Sequence, residues 1–161
     1  MNVIITAATV FTMFLNSGKA IHAGGDYYYN ADIQNSKVCM MDVYHQNGDK
    51  MLSRELEYHF TYDEQNRLIS KEAYKWNPVT MDWNRYYCLV LNYTDDGYSI
   101  EMKKWNSNKK TYDTAKERSV YHIVNGDVAS ISNYKWNDKS HDFVLTNTTY
   151  QDPLLLAHVI F

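Results

Sequence analysis

The sequence predicts an all-β protein: an antiparallel meander of about nine strands built from repeated hairpins. Tyrosine accounts for 15 of the 161 residues, and tyrosine favours pleated, half-buried surfaces. Turn signals made of Asn, Asp and Gly separate short stretches in which apolar and polar residues alternate. A Lys-Trp-Asn triplet also recurs along the chain, which indicates one supersecondary unit used several times. These patterns do not decide whether the strands form a curved sheet, two packed layers or a barrel.

The triplets lie at corresponding points of the predicted hairpins. They are Lys75-Trp76-Asn77, Lys104-Trp105-Asn106 and Lys135-Trp136-Asn137. Another aromatic residue follows seven positions after each tryptophan, namely Trp83, Tyr112 and Phe143. The tryptophans stand at positions 76, 105 and 136, so their spacing along the chain is nearly equal. We expect each unit to consist of a strand, a tight turn, a strand ending in the triplet, and a loop.

The amino-terminal region is typical of an export signal. Residues 3–15 are apolar and uncharged, and small residues follow them. We expect a signal peptide over 1–23, with cleavage after Ala20 or Ala23, then a flexible segment over 24–36 and one repeated hairpin domain over 37–161. The alternative is a core strand or short helix at the start of the domain. The run is shorter than the roughly 20 apolar residues of a membrane span, so we expect no integral span after signal removal and a secreted, periplasmic or cell-surface location.

The predicted strands follow from alternation and from the residues that end each run. They span 38–45, 51–62, 68–76, 83–93, 98–105, 117–124, 128–136, 143–150 and 154–161. Asn47-Gly48 and Asn125-Gly126 predict hairpins with a type I′ turn, which needs two residues that tolerate positive φ. Asp63 is placed to accept a backbone hydrogen bond two residues on, and Asn66 tolerates the left-handed conformation. Residues 106–113 are expected to be a loop.

Two resemblances accompany these patterns. The segment from Tyr62 to Leu68 (YDEQNRL) resembles the tyrosine-aspartate repeat of bacterial cell-surface and toxin-shell proteins, Tyr-Asp-x-x-Gly-Arg-Leu, with Asn66 in place of glycine. The Lys-Trp-Asn triplets after an apparent signal peptide are similar to small secreted proteins of unknown function in Bacteroidetes of the gut. Together they cover about residues 51–150. They imply an exported β-repeat architecture and carry over no catalytic residues.

The tryptophan series is the most suggestive candidate site. Aromatic rings spaced along a rigid sheet make platforms for sugar rings, and neighbouring amides supply hydrogen bonds to hydroxyls. The candidate ligand-binding residues are Trp76, Trp105, Trp136, Asn77, Asn106 and Asn137. The structural alternative is that each tryptophan packs on the aromatic residue seven positions later and stabilises its own hairpin by cross-strand pairing. Recurrence in every unit favours this alternative.

Charge and motifs narrow the function. The net charge is −3 with no basic stripe, which makes nucleic acid a poor partner. The triplet lysines are expected to cover aromatic rings rather than to bind an anionic polymer. No spacing of metal ligands and no nucleophile or zinc-hydrolase motif is present, so we expect no metal, no cofactor and no enzymatic activity. Cys39 and Cys88 are expected to be free thiols rather than a disulfide.

The sequence therefore predicts an exported binding module of the cell envelope, with a glycan or an envelope protein as its partner. The first alternative is a purely structural or assembly module whose exposed sheet edge recruits another chain. A small glycan-acting enzyme is the last alternative. The sequence does not indicate an oligomeric state.

Overall fold

A computed structural model describes residues 5–12, 27–46, 48 and 51–150. Its strands are β1 (Tyr27–Gln34), β2 (Lys37–Gln46), β3 (Leu52–Tyr62), β4 (Leu68–Asn77), β5 (Asp82–Thr94), β6 (Gly97–Asn106), β7 (Thr111–Tyr112), β8 (Glu117–Val124), β9 (Asp127–Asn137) and β10 (Asp142–Tyr150). They form one open antiparallel sheet in the order β1-β2-β3-β4-β5-β6-β8-β9-β10, with β7 paired to β6. The predicted all-β meander is confirmed, and among the described strands the sheet is open, with β1 and β10 at its two ends.

The chain forms two compact units. The first unit comprises Ile5–Cys88 and Trp105–Tyr112, and the second comprises the described residues within Leu89–Lys104 and Asp113–Phe161. Few side chains are fully shielded in either unit. The buried apolar residues of the first unit are Ala7, Val10, Val38, Val43, Leu68, Ala73 and Cys88. Those of the second unit are Leu91, Tyr98 and Ala115. Most other strand residues are half-buried, so cross-strand pairs contribute much of the packing.

Strand β1 differs from the sequence-based expectation. The sequence predicts a flexible segment over 24–36, whereas Tyr27–Gln34 pairs with β2 along its whole length. The connecting residues Asn35 and Ser36 have φ values of 49° and 62°, the positive pair that a type I′ turn requires. The strand forms here because Tyr27, Tyr28 and Tyr29 favour extended backbone even when they are exposed.

Two predicted turns are confirmed in detail. Asp63 Oδ1 accepts hydrogen bonds from the backbone N–H groups of Gln65 and Arg67 at 2.9 and 2.8 Å, and Asn66 has φ 60°. Asn125 and Gly126 have φ values of 55° and 93° between β8 and β9. Of the other predicted Asn-Gly hairpin, Asn47 lies outside the described residues, although β2 and β3 pair as expected.

The described part of the amino-terminal segment packs on the β3–β4 turn in the first unit. Leu68 N–H donates to the Ile5 carbonyl at 2.7 Å, and Ala7 N–H donates to the Asn66 carbonyl at 2.9 Å. Residues 7–12 are helical, and Ala7 and Val10 are each 5% exposed. The signal peptide itself stays a prediction. Its cleavage positions, and the predicted strand over 154–161, lie outside the described residues.

The loop predicted over 106–113 contains a short strand. Thr111 and Tyr112 form β7 and pair with Asn106 and Trp105 of β6. The pairing brings Tyr112 opposite Trp105, so the aromatic contact and the backbone ladder form together. The two cysteines are free, with Cys39 half-buried and Cys88 buried.

Candidate functional site

The three tryptophans each contact the aromatic residue seven positions later. The ring centroids of Trp76 and Trp83 are 5.1 Å apart with an interplanar angle of 70°. The Trp105–Tyr112 pair has 5.1 Å and 73°, and the Trp136–Phe143 pair has 5.3 Å and 76°. Such edge-to-face pairs contribute about 0.5–1.5 kcal/mol beyond area burial. The structure therefore confirms the structural alternative, in which each triplet tryptophan packs across its hairpin on the aromatic residue seven positions later.

The three triplet asparagines cap the loops that follow them. Asn77 Oδ1 accepts the N–H groups of Val79 and Thr80 at 3.0 and 3.4 Å. Asn106 accepts two N–H groups at 3.1 and 3.1 Å, and Asn137 accepts two at 2.9 and 3.4 Å. A residue with positive φ follows four positions after each asparagine: Met81, Lys110 and His141. These amides thus hold turns, and their oxygens are engaged before any ligand arrives.

A basic side chain lies over the ring of each tryptophan, which the sequence reasoning missed. The Arg54 guanidinium is 4.8 Å from the Trp76 ring centroid, and the Arg85 guanidinium is 4.9 Å from that of Trp105. In the second unit the Lys116 ammonium is 5.8 Å from the Trp136 centroid. The signal was present in the sequence, because positions 54, 85 and 116 are evenly spaced along the chain.

The three cations differ in their partners. Lys116 forms an ion pair of 2.6 Å with Asp138, and the Lys116 hydrogen bond and charge lower the pKa of Asp138. Arg85 hydrogen-bonds the Tyr74 hydroxyl, which itself donates to Glu72 at 2.9 Å. Among the residues that the structure describes, no carboxylate forms an ion pair with Arg54. Within the described part of the chain, Arg54 is therefore the member of the series whose side chain contacts an aromatic ring without an acidic or hydroxyl partner.

A cavity of about 500 Å³ opens beside Trp76 in the first unit. We call it the Trp76 groove, and it is lined by His45, Leu52, Ser53, Arg54, Glu55, Lys75, Trp76 and Pro78. Of the six residues predicted from the sequence, only Trp76 lines this groove. Trp105 and Asn106 lie elsewhere in the first unit, and Trp136 and Asn137 belong to the second unit.

The triplet lysines are exposed. The Lys75 ammonium is 5.8 Å from the ring centroid of Tyr86. The expected cover of an aromatic ring is thus present for Lys75, with a tyrosine of the next strand in place of the adjacent tryptophan. Neighbouring residues on a strand point to opposite faces, so the Lys75 ammonium and the Trp76 indole lie on different faces of β4.

Comparison with known proteins places the chain in a family. A family model, described as a family of unknown function (DUF3836), matches residues 1–123. The chain belongs to DUF3836. No curated protein shows a significant match to this DUF3836 chain.

Three solved structures resemble this DUF3836 chain. A Bacteroides fragilis protein of unknown function is 20% identical, with a TM-score of 0.70 over 83% of this chain and 96% of that one. A DUF3836 protein from Bacteroides vulgatus is 31% identical, with a TM-score of 0.52 over 54% of this chain and 88% of that one. A DUF3836 protein from Parabacteroides distasonis is 21% identical, with a TM-score of 0.53 over 73% of this chain and 95% of that one. The first and third similarities show a shared fold alone.

Two local polar contacts of this DUF3836 chain join a histidine to a carboxylate. His59 Nε2 is 2.6 Å from Glu57 Oε1, and His122 Nδ1 is 3.3 Å from Asp96 Oδ2. Within the described ranges, no group of three or more His, Cys, Asp or Glu side chains is arranged to hold a metal ion. None of the described helical residues forms a helix long and apolar enough to cross a membrane.

Proposed function

We propose that this chain is an exported, non-catalytic binding module of the cell envelope that holds a glycan in the Trp76 groove. The groove is the observation that carries the proposal. It combines an aromatic side chain, an arginine and the polar side chains of Ser53 and Glu55 around about 500 Å³, a size and composition suited to a small ligand or a segment of a polymer. The export part rests on the apolar, uncharged residues 3–15.

Binding to a glycan array tests the groove. We expect the chain without residues 1–23 to bind at least one glycan and the Trp76→Ala variant to lose that binding. The matched control is Trp136→Ala, which removes an equivalent aromatic clamp, with ring centroids 5.3 Å apart, in the other unit. Thermal unfolding of both variants shows whether each remains folded. Absence of binding by the wild type to every glycan, or equal loss in both variants while both are folded, would reject the proposal.

Export is tested separately by the mass of the protein recovered from the host cell. We expect the mature chain to begin after Ala20 or Ala23 and to fractionate with the envelope or the medium. A chain recovered intact from the cytoplasm would contradict export. In that case the packing of residues 5–12 on the β3–β4 turn would be a permanent part of the fold.

A specific observation favours assembly as a second candidate function. In the described residues β10 pairs only with β9, and its side chains Val144, Leu145 and Tyr150 are 47%, 52% and 77% exposed. An apolar edge strand with unpaired backbone groups recruits another strand. Solution scattering on the mature chain is expected to show a dimer or larger species if assembly is the function, and Leu145→Lys is expected to reduce it. A monomer at high concentration removes this candidate.

A further inference from the structure

We infer that the glycan held in the Trp76 groove is acidic, and that its carboxylate or sulfate groups bind the Arg54 guanidinium. This inference rests on the proposed function and names its ligand class. It also assigns the indole a different role from a sugar platform. The Trp76 ring supports the guanidinium, and the guanidinium contacts the ligand.

The geometry at Arg54 carries the inference. Its guanidinium is 4.8 Å from the Trp76 ring centroid, so one face of the indole is already covered. The edge-to-face contact with Trp83, 5.1 Å between centroids, holds the indole in place. A guanidinium is planar and carries its N–H donors around its edge. Those donors match the two oxygens of a carboxylate or sulfate.

Arg54 carries the positive charge on the Trp76 face of the groove. Lys75 adds a second positive charge near Glu55 around the groove, although the whole chain carries −3. The Lys75 ammonium lies on the other face of β4, so it contributes to the field and makes no direct contact. Such a field acts over roughly 8–10 Å at physiological ionic strength.

A second guanidinium in the same unit extends the site along a polymer. Arg54 contacts Trp76, and Arg85 hydrogen-bonds Tyr74. Tyr74 and Trp76 are two positions apart on β4 and so point to the same face. Strands β3 and β5 flank β4, which puts the two arginine-bearing strands about 10 Å apart. A polymer with an acid group on each sugar is able to contact both cations at once, which raises its affinity over that of a single acidic sugar.

The second unit provides an internal comparison. There Lys116 lies over Trp136 at 5.8 Å but is paired with Asp138 at 2.6 Å. The pair neutralises the cation that corresponds to Arg54 in the evenly spaced series. We therefore expect Lys116 to contribute nothing to binding of an acidic glycan.

Calorimetry with polygalacturonate and its fully methyl-esterified form tests the inference, because the two polymers share a backbone and differ in charge. Sulfated and unmodified dextran form the parallel pair for sulfate. We expect the acid form to bind roughly tenfold or more tightly than the neutral form in at least one pair. Which pair shows the difference distinguishes carboxylate from sulfate.

Variants at three positions of the same chain locate the binding. Arg54→Gln is expected to weaken binding of the acid form roughly tenfold, Arg85→Gln by less, and Lys116→Gln by under twofold. Arg54→Lys keeps the charge without the planar fork and is expected to fall between wild type and Arg54→Gln. All three side chains are exposed at the sheet surface, so unfolding temperatures are expected to stay close to wild type.

The outcomes separate the inference from the proposed function. Equal binding of acid and neutral polymers overturns the acidic ligand and leaves glycan binding intact. Binding of polyglutamate as tightly as of the acidic polymer overturns the glycan class. A wild type that binds none of these polymers and none on the array overturns both. Loss of acid-polymer binding in Lys116→Gln but not in Arg54→Gln overturns the location.

Discussion

A single methyl group added at Gly97 is expected to destabilise the second unit. Gly97 begins β6, opposite His122 of β8. A Cβ added to Gly97 would overlap the Tyr121 carbonyl oxygen and lie 3.0 Å from the carbonyl carbon. Both are backbone atoms of the paired strand, so no side chain can move aside. Gly97 also has φ 157°, a conformation that residues with a Cβ rarely adopt.

The cost of Gly97→Ala follows from the two effects together. A residue forced into a sparsely populated backbone region costs about 1–3 kcal/mol, and relief of the overlap by shifting β6 from β8 costs a similar amount, about 1–3 kcal/mol. The variant is expected to relax partly through an unfavourable backbone conformation at residue 97 and partly through a shift of β6 from β8. We therefore expect a loss of about 3 kcal/mol in the free energy of unfolding. For a chain of this length, a loss of that size lowers the Tm by about 6–12 °C.

Urea unfolding followed by far-UV circular dichroism, together with thermal unfolding, measures the effect. The control is Gly48→Ala, because a Cβ at Gly48 meets nothing within 4 Å. We expect this control to change the free energy of unfolding by less than about 1 kcal/mol. A Gly97→Ala variant within about 0.5 kcal/mol of wild type would show that the close approach of β6 to Tyr121 is not a constraint in solution.

Four further predictions concern stability. The Tyr112 hydroxyl is buried and has no hydrogen-bond partner among the described residues, so Tyr112→Phe is expected to stabilise by about 1 kcal/mol in urea unfolding; Tyr62→Phe, which removes a 2.9 Å bond to the Val38 carbonyl, is expected to destabilise by a similar amount, and the opposite signs would contradict this. Burial, and then the charge of Glu72, raise the pKa of Tyr112 to about 12 from 10.0; stability is therefore lost as the pH rises from the unfolded to the folded value, and Tyr112→Phe is expected to lessen that loss. Asn137→Ala leaves two N–H groups without their acceptor and is expected to cost about 1 kcal/mol, whereas Asn137→Asp keeps the acceptor and most of the stability; equal losses would refute the capping role. Burial opposes ionisation of Asp63, but hydrogen bonds from Arg67 outweigh this effect and lower the pKa of Asp63 below 3.8. The stability that the ionised Asp63 contributes is thus present above pH 3.8 and lost as the pH falls further. An Asp63→Asn variant whose acid unfolding is unchanged would contradict this pH dependence.

Local signals predicted the turns and the strand pairing well. Asp63, Asn66 and Asn125-Gly126 act through their own backbone, and each was found with the expected hydrogen bonds or φ values. The contact of each tryptophan with the aromatic residue seven positions later also follows from short range, since the short loop between them brings the two positions opposite each other. Trp136 and Phe143 are direct partners in the β9–β10 ladder.

Long-range and unpatterned features could not be predicted in the same way. Arg54 and Arg85 reach Trp76 and Trp105 from other strands that lie earlier in the chain. The even spacing of these arginines is visible in the sequence. The neighbouring residues, however, do not indicate which aromatic ring an arginine in a strand will contact. Strand β1 was missed for another reason: its side chains are almost all exposed, so no apolar alternation signals it.

Arg54 differs in its partners from two cations that lie over aromatic rings in the second unit. A cation over an aromatic ring at an exposed site contributes about 0.5–1 kcal/mol. In the second unit, two cations over aromatic rings have acidic partners. Lys116 pairs with Asp138, and Arg118, which lies 4.1 Å from the Phe143 centroid, pairs with Glu101 at 2.6 Å. Arg54 has the same kind of aromatic support, no ion pair to a described carboxylate, and a cavity beside it. An acid group supplied by a ligand would complete the arrangement that the second unit completes from its own chain.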